Sequence, residues 1–202
     1  MDFVDPARLL RMQFLGGRGH YDAVVRAVMD AQHSVWIATA NLKELMVEDH
    51  RAAPGRSRTA RSRPVYRSIF DSFDDLARRR VDLRILHAGQ PSRAFRSQLT
   101  RHRQLAAGAL ALRTCPRVHF KAVIVDGAQL YLGSANWTGA GLGAKGTGRR
   151  NFELGLLTRD DGLLDQVQRL YDEIWRGGPC KTCKLRSLCP QPLDLPLRPT
   201  QQ

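Results

Sequence analysis

Apolar residues recur at helical spacing from Tyr21 to Gln32, at Ala23, Val24, Ala27, Val28 and Ala31. The run Ser34–Thr39 (SVWIAT) follows at once and reads as a buried strand. The same alternation continues along the chain. Pro64 fits the first turn of a helix reaching about Arg79, with Val65, Ile69, Phe73 and Leu76 on one face. Val81–His87 reads as a strand and Ser92–Ala106 as a basic helix carrying Arg93, Arg96, Arg101 and Arg103. Val118–Val125 and Gln129–Leu132 form a strand pair about the turn Asp126-Gly127. Phe152–Thr158 is a further strand. Asp160–Trp175 is a helix with Leu163, Leu164, Val167, Leu170 and Ile174 inward, ended by Gly177-Gly178. Near the start, Pro6–Phe14 has the pattern of a short amphipathic helix, broken by Gly16, Gly17 and Gly19. Interleaved helices and strands define an α/β class with a mixed β-sheet flanked by helices.

Composition changes the picture through charge. Lys and Arg number 32 against 19 Asp and Glu, a net charge of +13 in 202 residues. Such an excess points to a polyanionic partner, nucleic acid or an anionic membrane surface, and away from an enzyme of small acidic metabolites. The cations are clustered. Arg51, Arg56, Arg58, Arg61 and Arg63 fall in an aperiodic, exposed-looking loop; Arg93 and Arg96 open the basic helix; Lys145, Arg149 and Arg150 end a glycine-rich stretch. These are the candidate nucleic-acid-binding residues. No run of about 18 apolar residues occurs, so no membrane-spanning helix is expected. The start, MDFVDPARLLRMQF, has no apolar core of a secretory signal, so the expected location is cytoplasmic.

The chemistry-bearing segment is Val118–Trp137, VHFKAVIVDGAQLYLGSANW. His119 and Lys121 are two apart and share a strand face. Gly133-Ser134-Ala135-Asn136 follows the hairpin. An imidazole beside an ammonium, faced by a hydroxyl and a carboxamide, can attack phosphorus and hold its oxygens.

His119-x-Lys121-x4-Asp126-x6-Gly133-Ser134-x-Asn136 resembles the HKD signature of the phospholipase D superfamily, and the element pattern from about residue 20 to 176 is compatible with that fold. The resemblance implies a phospholipase D-like domain and a metal-independent phosphodiesterase. His119, Lys121, Asp126, Ser134 and Asn136 would form the site, and Glu153 stands where single-motif nucleases of the superfamily place a glutamate that hydrogen-bonds the nucleophilic imidazole. Two such motifs make one active site. None of His20, His33, His50, His87 or His102 has Lys two residues on, so the resemblance implies a homodimer supplying His119 twice. The small single-motif size and the +13 charge favour an endonuclease acting on DNA or RNA. The alternatives are a lipid phosphodiesterase or phosphatidyl transferase, and a non-catalytic nucleic-acid-binding module.

Three of the four cysteines, Cys180, Cys183 and Cys189, fall within ten residues; the fourth, Cys115, precedes the His119 strand. Three thiolates leave tetrahedral coordination one ligand short, and Cys115 is the remaining thiol. Zinc and an iron–sulfur cluster both suit four thiolates. The spacing Cys-x2-Cys-x5-Cys with one distant cysteine resembles the [4Fe–4S] staples of RecB-type nucleases. Residues 1–178 are thus expected to be the catalytic domain and 179–202 a cysteine-rich metal-binding tail, its metal structural and not needed for catalysis.

Overall fold

A computed structural model describes residues 3–49 and 65–196 of the chain. The strands are β1 (Met12–Gly16), β2 (Ser34–Thr39), β3 (Met46–Glu48), β4 (Tyr66–Ser68), β5 (Asp82–His87), β6 (Leu110–Thr114), β7 (Lys121–Val125), β8 (Gln129–Gly133) and β9 (Leu154–Thr158). The helices are α1 (Arg26–Met29), which continues a π turn at Tyr21–Val25, then α2 (Ile69–Arg78), α3 (Arg93–Arg101) and α4 (Asp161–Trp175). Seven strands form one sheet in the order β1-β9-β8-β7-β2-β5-β6, and β3 pairs with β4 apart from it. Strands β2, β5 and β6 run parallel, while β7, β8, β9 and β1 continue antiparallel. This is the mixed α/β sheet expected from the alternation of elements.

Period-2 alternation sends successive side chains of the central strands into two cores. Val35, Ile37, Leu83, Ile85, Val123 and Tyr131 enter the core beneath α1 and α2. Ala38, Leu86, Ala122, Ile124 and Leu130 enter the other, which Leu164, Val167 and Tyr171 of α4 close. Helix α4 starts where Asp160 accepts the Leu163 N–H at 2.8 Å, and stops at Gly177, whose φ of +77° is the left-handed C-terminal turn. A Cβ at Gly177 would lie 2.2 Å from the Asp194 nitrogen.

Four expectations need correction. Pro6–Phe14 is not a helix: Met12–Gly16 is edge strand β1, with Phe14 opposite Leu156. A segment this short, opened by Pro6 and cut by glycines, cannot nucleate a stable helix alone, whereas β9 offers a free ladder. The helix expected from Pro64 starts at Ile69, after strand β4, because Ser68 caps it by accepting the Phe70 N–H at 3.3 Å. The basic helix stops at Arg101 and gives way to a π turn at Leu105–Ala109 and to β6, a strand not expected from the sequence. The strand expected from Val118 begins at Lys121, so His119 stands in the segment leading into β7. Arg51, Arg56, Arg58, Arg61 and Arg63 lie outside the described residues.

Candidate active site

Register brings the motif together. Lys121 pairs with Gly133 across the β7–β8 hairpin, and Gly133 pairs with Gly155 on β9. His119, Ser134 and Glu153, each just beyond these strands, therefore gather at one end of the sheet. Strand β2 ends there too, with Ala38 opposite Ala122. The site thus lies at the carboxyl end of β2, where α/β sheets habitually bind ligands.

His119 is exposed and Lys121 is 9% exposed, a buried cation at the sheet's end. Lys121 Nζ stands 3.4 Å from His119 Nδ1 and donates to the His119 carbonyl oxygen. With Nδ1 on the lysine side, Nε2 is the nitrogen that can meet phosphorus. Neither its carbonyl partner nor the imidazole is an acidic counter-ion, so the Lys121 ammonium is available to an incoming anion.

Asn136 is fixed from below. Its Oδ1 accepts from the Asn41 N–H at 2.9 Å, the Ala40 N–H at 3.1 Å and the Thr39 hydroxyl at 3.3 Å. Thr39 Oγ1 in turn accepts the Trp137 N–H at 2.9 Å. The carbonyl end is thus spent on the loop after β2, and Nδ2 is the end that can donate to a phosphate oxygen. That loop also carries α3: the Ser92 N–H donates to the Leu42 carbonyl at 3.0 Å, and Ser92 caps the helix through the Phe95 N–H. Arg93 and Arg96 are exposed on the first turns of α3, tied through Ser92 and Leu42 to the loop that Asn136 holds.

Ser134 is exposed; its hydroxyl donates to Glu153 Oε2 and accepts the Leu154 N–H at 3.1 Å. Glu153 Oε1 accepts from Asn151 Nδ2 at 3.1 Å. Within one chain Glu153 is therefore the partner of Ser134 and Asn151 rather than of His119. The glycine before Ser134 is required by packing. A Cβ at Gly133 would fall 2.4 Å from the Tyr131 hydroxyl and 2.6 Å from the Leu154 carbonyl, and one at Gly155 2.3 Å from the Tyr131 ring. Tyr131, whose hydroxyl burial pushes up to about 12, fills the space under both glycines.

Asp126 does not join this group. It sits at the opposite end of β7 from Lys121, at φ +55°. Its carboxylate accepts the backbone N–H groups of Gln32, His33 and Ser34 at 2.7–3.1 Å. Burial pushes this carboxyl up, but the three donors together outweigh burial and hold it below the usual carboxylate range. Its work is to fasten the turn to the start of β2.

Lys145 and Arg149 are exposed on the loop between Asn136 and Glu153, and Arg150 donates to the Lys145 carbonyl. Among the described residues no ion pair takes Arg93, Arg96, Lys145 or Arg149, whereas Arg8, Arg18, Arg67, Arg84 and Arg186 are all paired. A surface cavity of about 930 Å³ lies elsewhere, between Phe3, Trp36 and α4. Asp5, Asp165, Asp172 and Glu173 line it together with Arg169 and Arg176, a mixed-charge wall unlike the histidine–lysine end of the sheet.

A mixed sheet ending in this histidine–lysine pair, with a serine and a pinned asparagine beyond the next strand, defines a phospholipase D-type phosphodiesterase fold. The chain belongs to that superfamily: the family model described as the PLD-like domain of cardiolipin synthase matches residues 24–175. Among solved structures, the chain is similar to Nuc, a phospholipase D family member from Salmonella typhimurium, at 18% identity and a TM-score of 0.55 over 82% of this chain and 95% of that one. NucT from Helicobacter pylori matches at 16% identity and a TM-score of 0.53, over 82% and 95%. The phosphatidylserine synthase of Haemophilus influenzae matches at 18% and 0.50, over 85% of this chain and 40% of that one. No curated protein sequence matches. Among the described residues no helix is long and apolar enough to cross a membrane.

Proposed function

We propose that the protein is an endonuclease-type phosphodiesterase that cuts nucleic-acid backbones at a site completed by two copies of the chain. The observation that carries this reading is the exposed His119 beside buried Lys121, on a chain whose Arg93, Arg96, Lys145 and Arg149 are exposed and without an ion pair among the described residues. An extended polyanion needs such cations; a single phosphomonoester would not.

In this reading His119 Nε2 attacks phosphorus and a P–N bond forms as the P–O ester bond breaks. The leaving oxygen takes a proton from the second copy's protonated imidazole. Water then attacks the phosphohistidine, giving its proton to that imidazole, and the P–N bond breaks. Lys121 and Asn136 Nδ2 hold the non-bridging oxygens, and Ser134 is oriented by Glu153.

The chain also carries a surface suited to a second copy. Phe14, 71% exposed, pairs in register with Leu156, and Leu154, 59% exposed, stands beside Ser134; Met12 and Phe152 extend the patch. Apolar residues clustered next to a half-complete site favour burial against a symmetric copy. A lipid phosphodiester is the second reading, favoured by the cardiolipin synthase description of the matching family and by the same apolar residues.

The test is a cleavage panel of labelled single- and double-stranded DNA and RNA, with phosphatidylcholine and phosphatidylglycerol vesicles alongside, in EDTA. Nucleic-acid cleavage lost in His119→Ala supports the nuclease. Turnover confined to the vesicles would transfer the site to the lipid reading, and cleavage undiminished in His119→Ala would remove both.

A further inference from the structure

The four cysteines, which the phosphodiesterase site does not use, come together in space. Cys115 lies between β6 and the lead-in to β7; Cys180, Cys183 and Cys189 lie on the turns after α4. All four line one small cavity, about 20 Å³, with Arg117 and Arg186 also in its wall. None is in a disulfide, and all are partly shielded from solvent. Cys115 is far from its companions in sequence, so the fold brings it there.

We propose that Cys115, Cys180, Cys183 and Cys189 form one four-thiolate site for a thiophilic metal centre that clamps the C-terminal segment onto the catalytic sheet.

Three independent features support it. The first is backbone placement: the N–H groups of Arg117 and Leu185 lie on the Cys115 and Cys183 sides of the cluster, each two residues on in the chain. Such N–H donors suit a metal-bound sulfur. The second is charge. A divalent ion with four thiolates carries net −2 after the four thiol protons are released, and the site is ringed by cations. Arg117 lies beside Cys183 in the cavity wall, and Arg186 lies within electrostatic reach of Cys180 and Cys189. Arg186 is held there by its pair with both oxygens of Asp194 at 2.8 Å.

The third is structural need. Residues 178–196 contain only two short 3-10 turns, Gly178–Cys180 and Arg186–Leu188, and no strand. Of this stretch Leu193 is buried in the core, while Leu188 is 78% exposed. A segment with so little core of its own needs a cross-link to stay ordered. The protein contacts already point the same way: Arg113 donates to the carbonyls of Trp175 and Leu193.

As they stand, no three Cys, His, Asp or Glu side chains among the described residues are set to hold a metal ion. Around a single zinc the ligand sulfurs lie about 2.3 Å from the metal, so binding draws the four thiols inward by side-chain rotation. A cluster of several irons fills more of the space.

Cys115 is joined to the catalytic end through two short links. Its N–H donates to the His87 carbonyl at 2.8 Å, and its carbonyl accepts the Val118 N–H at 2.9 Å, one residue before His119. The metal would therefore steady the approach to His119 without touching the substrate. That consequence rests on the phosphodiesterase reading; the metal site itself does not.

The experiment uses the full chain expressed with zinc and iron supplied and purified both anaerobically and in air, without chelator. Elemental and acid-labile sulfide analysis should give about one zinc per chain, or about four irons with four sulfides. Cys115→Ser and Cys183→Ser should each lose most of that metal and expose residues 178–196 to hydrogen exchange. If a variant fails to fold, Co2+ is titrated into metal-stripped wild type: one equivalent giving intense thiolate-to-cobalt absorption supports the site. Metal-free protein with four freely titratable thiols and no response to Co2+ would overturn the proposal, and so would full metal content in Cys115→Ser. If the metal is present but no nucleic acid is cut, the clamp stands and the nuclease reading fails.

Discussion

Replacing Asp126 by Asn separates the structural part of the motif from its chemistry. Asn tolerates the left-handed φ of +55° as well as Asp does, so the backbone is not what is being tested. In the native chain Oδ1 accepts from Gln32, His33 and Ser34, and Oδ2 accepts from Gln32 at 3.0 Å. The variant keeps the Oδ1 contacts without their charge and sets an NH2 donor against the Gln32 N–H. Charge-assisted bonds are roughly twice as strong as neutral ones. With Gln32 and His33 at the surface, the loss should be about 1–2 kcal/mol, or roughly 2–8 °C in Tm for a chain of this size. The carboxyl's folded value lies below its ordinary one, because the three N–H donors outweigh burial. Its contribution is therefore complete above the ordinary carboxylate range and disappears as pH falls through the folded value. Thermal melts from pH 7 downward should show the gap between wild type and variant closing below about pH 4. Asp126 lies about 16 Å along β7 from Lys121, so turnover should change by less than about threefold. Unchanged melting with turnover reduced more than about a hundredfold would refute this and put Asp126 in the chemistry.

Other outcomes follow from the same geometry. Gly133→Ala should destabilise by about 2–3 kcal/mol in denaturant melts, because the Leu154 carbonyl at 2.6 Å is backbone and cannot swing away. Phe14→Glu with Leu154→Glu should convert a dimer to a monomer in light scattering and abolish cleavage while each chain stays folded. Arg93→Ala with Arg149→Ala should reduce the salt dependence of duplex binding by roughly 0.9 in log–log slope for each phosphate that is no longer neutralised, read from affinities across a salt series. Lys121→Ala should reduce turnover more than affinity, since one buried cation serves the reacting phosphate and the surface arginines serve the rest of the strand.

How much was legible in the sequence varies with the range of the forces involved. Strand β2 could be read to the residue because a short β-branched run bounded by polar residues has no competing pattern. Helix α4 is legible between Asp160 and Gly177, both local signals, and the structure adds that Asp160 is its cap. Strand β1 was misread because its residues take that form only when β9, far along the chain, supplies a ladder. Strand β6 was missed because LALRT is intrinsically ambiguous and is decided by pairing with β5. The motif's spacing revealed His119, Lys121, Ser134 and Asn136, and the fold does bring them to one end of the sheet. Its spacing could not reveal that Asp126 faces the other end, or that Asn136 spends its carbonyl on the loop after β2. The link from α3 to that loop through Ser92 and Leu42 had no sequence signal at all.

Everything proposed for the reaction turns on a covalent bond between His119 and phosphorus of a nucleic-acid backbone. Rapid quench in base or denaturing detergent of the full chain with an internally 32P-labelled DNA single strand, in EDTA, followed by digestion and peptide mapping, detects that bond. The expected label sits on the peptide holding His119, stable to base and lost in acid as a phosphoramidate is, and absent in His119→Ala. Cleavage proceeding at the wild-type rate with no labelled enzyme at any quench time, or label on a residue other than His119, would contradict it.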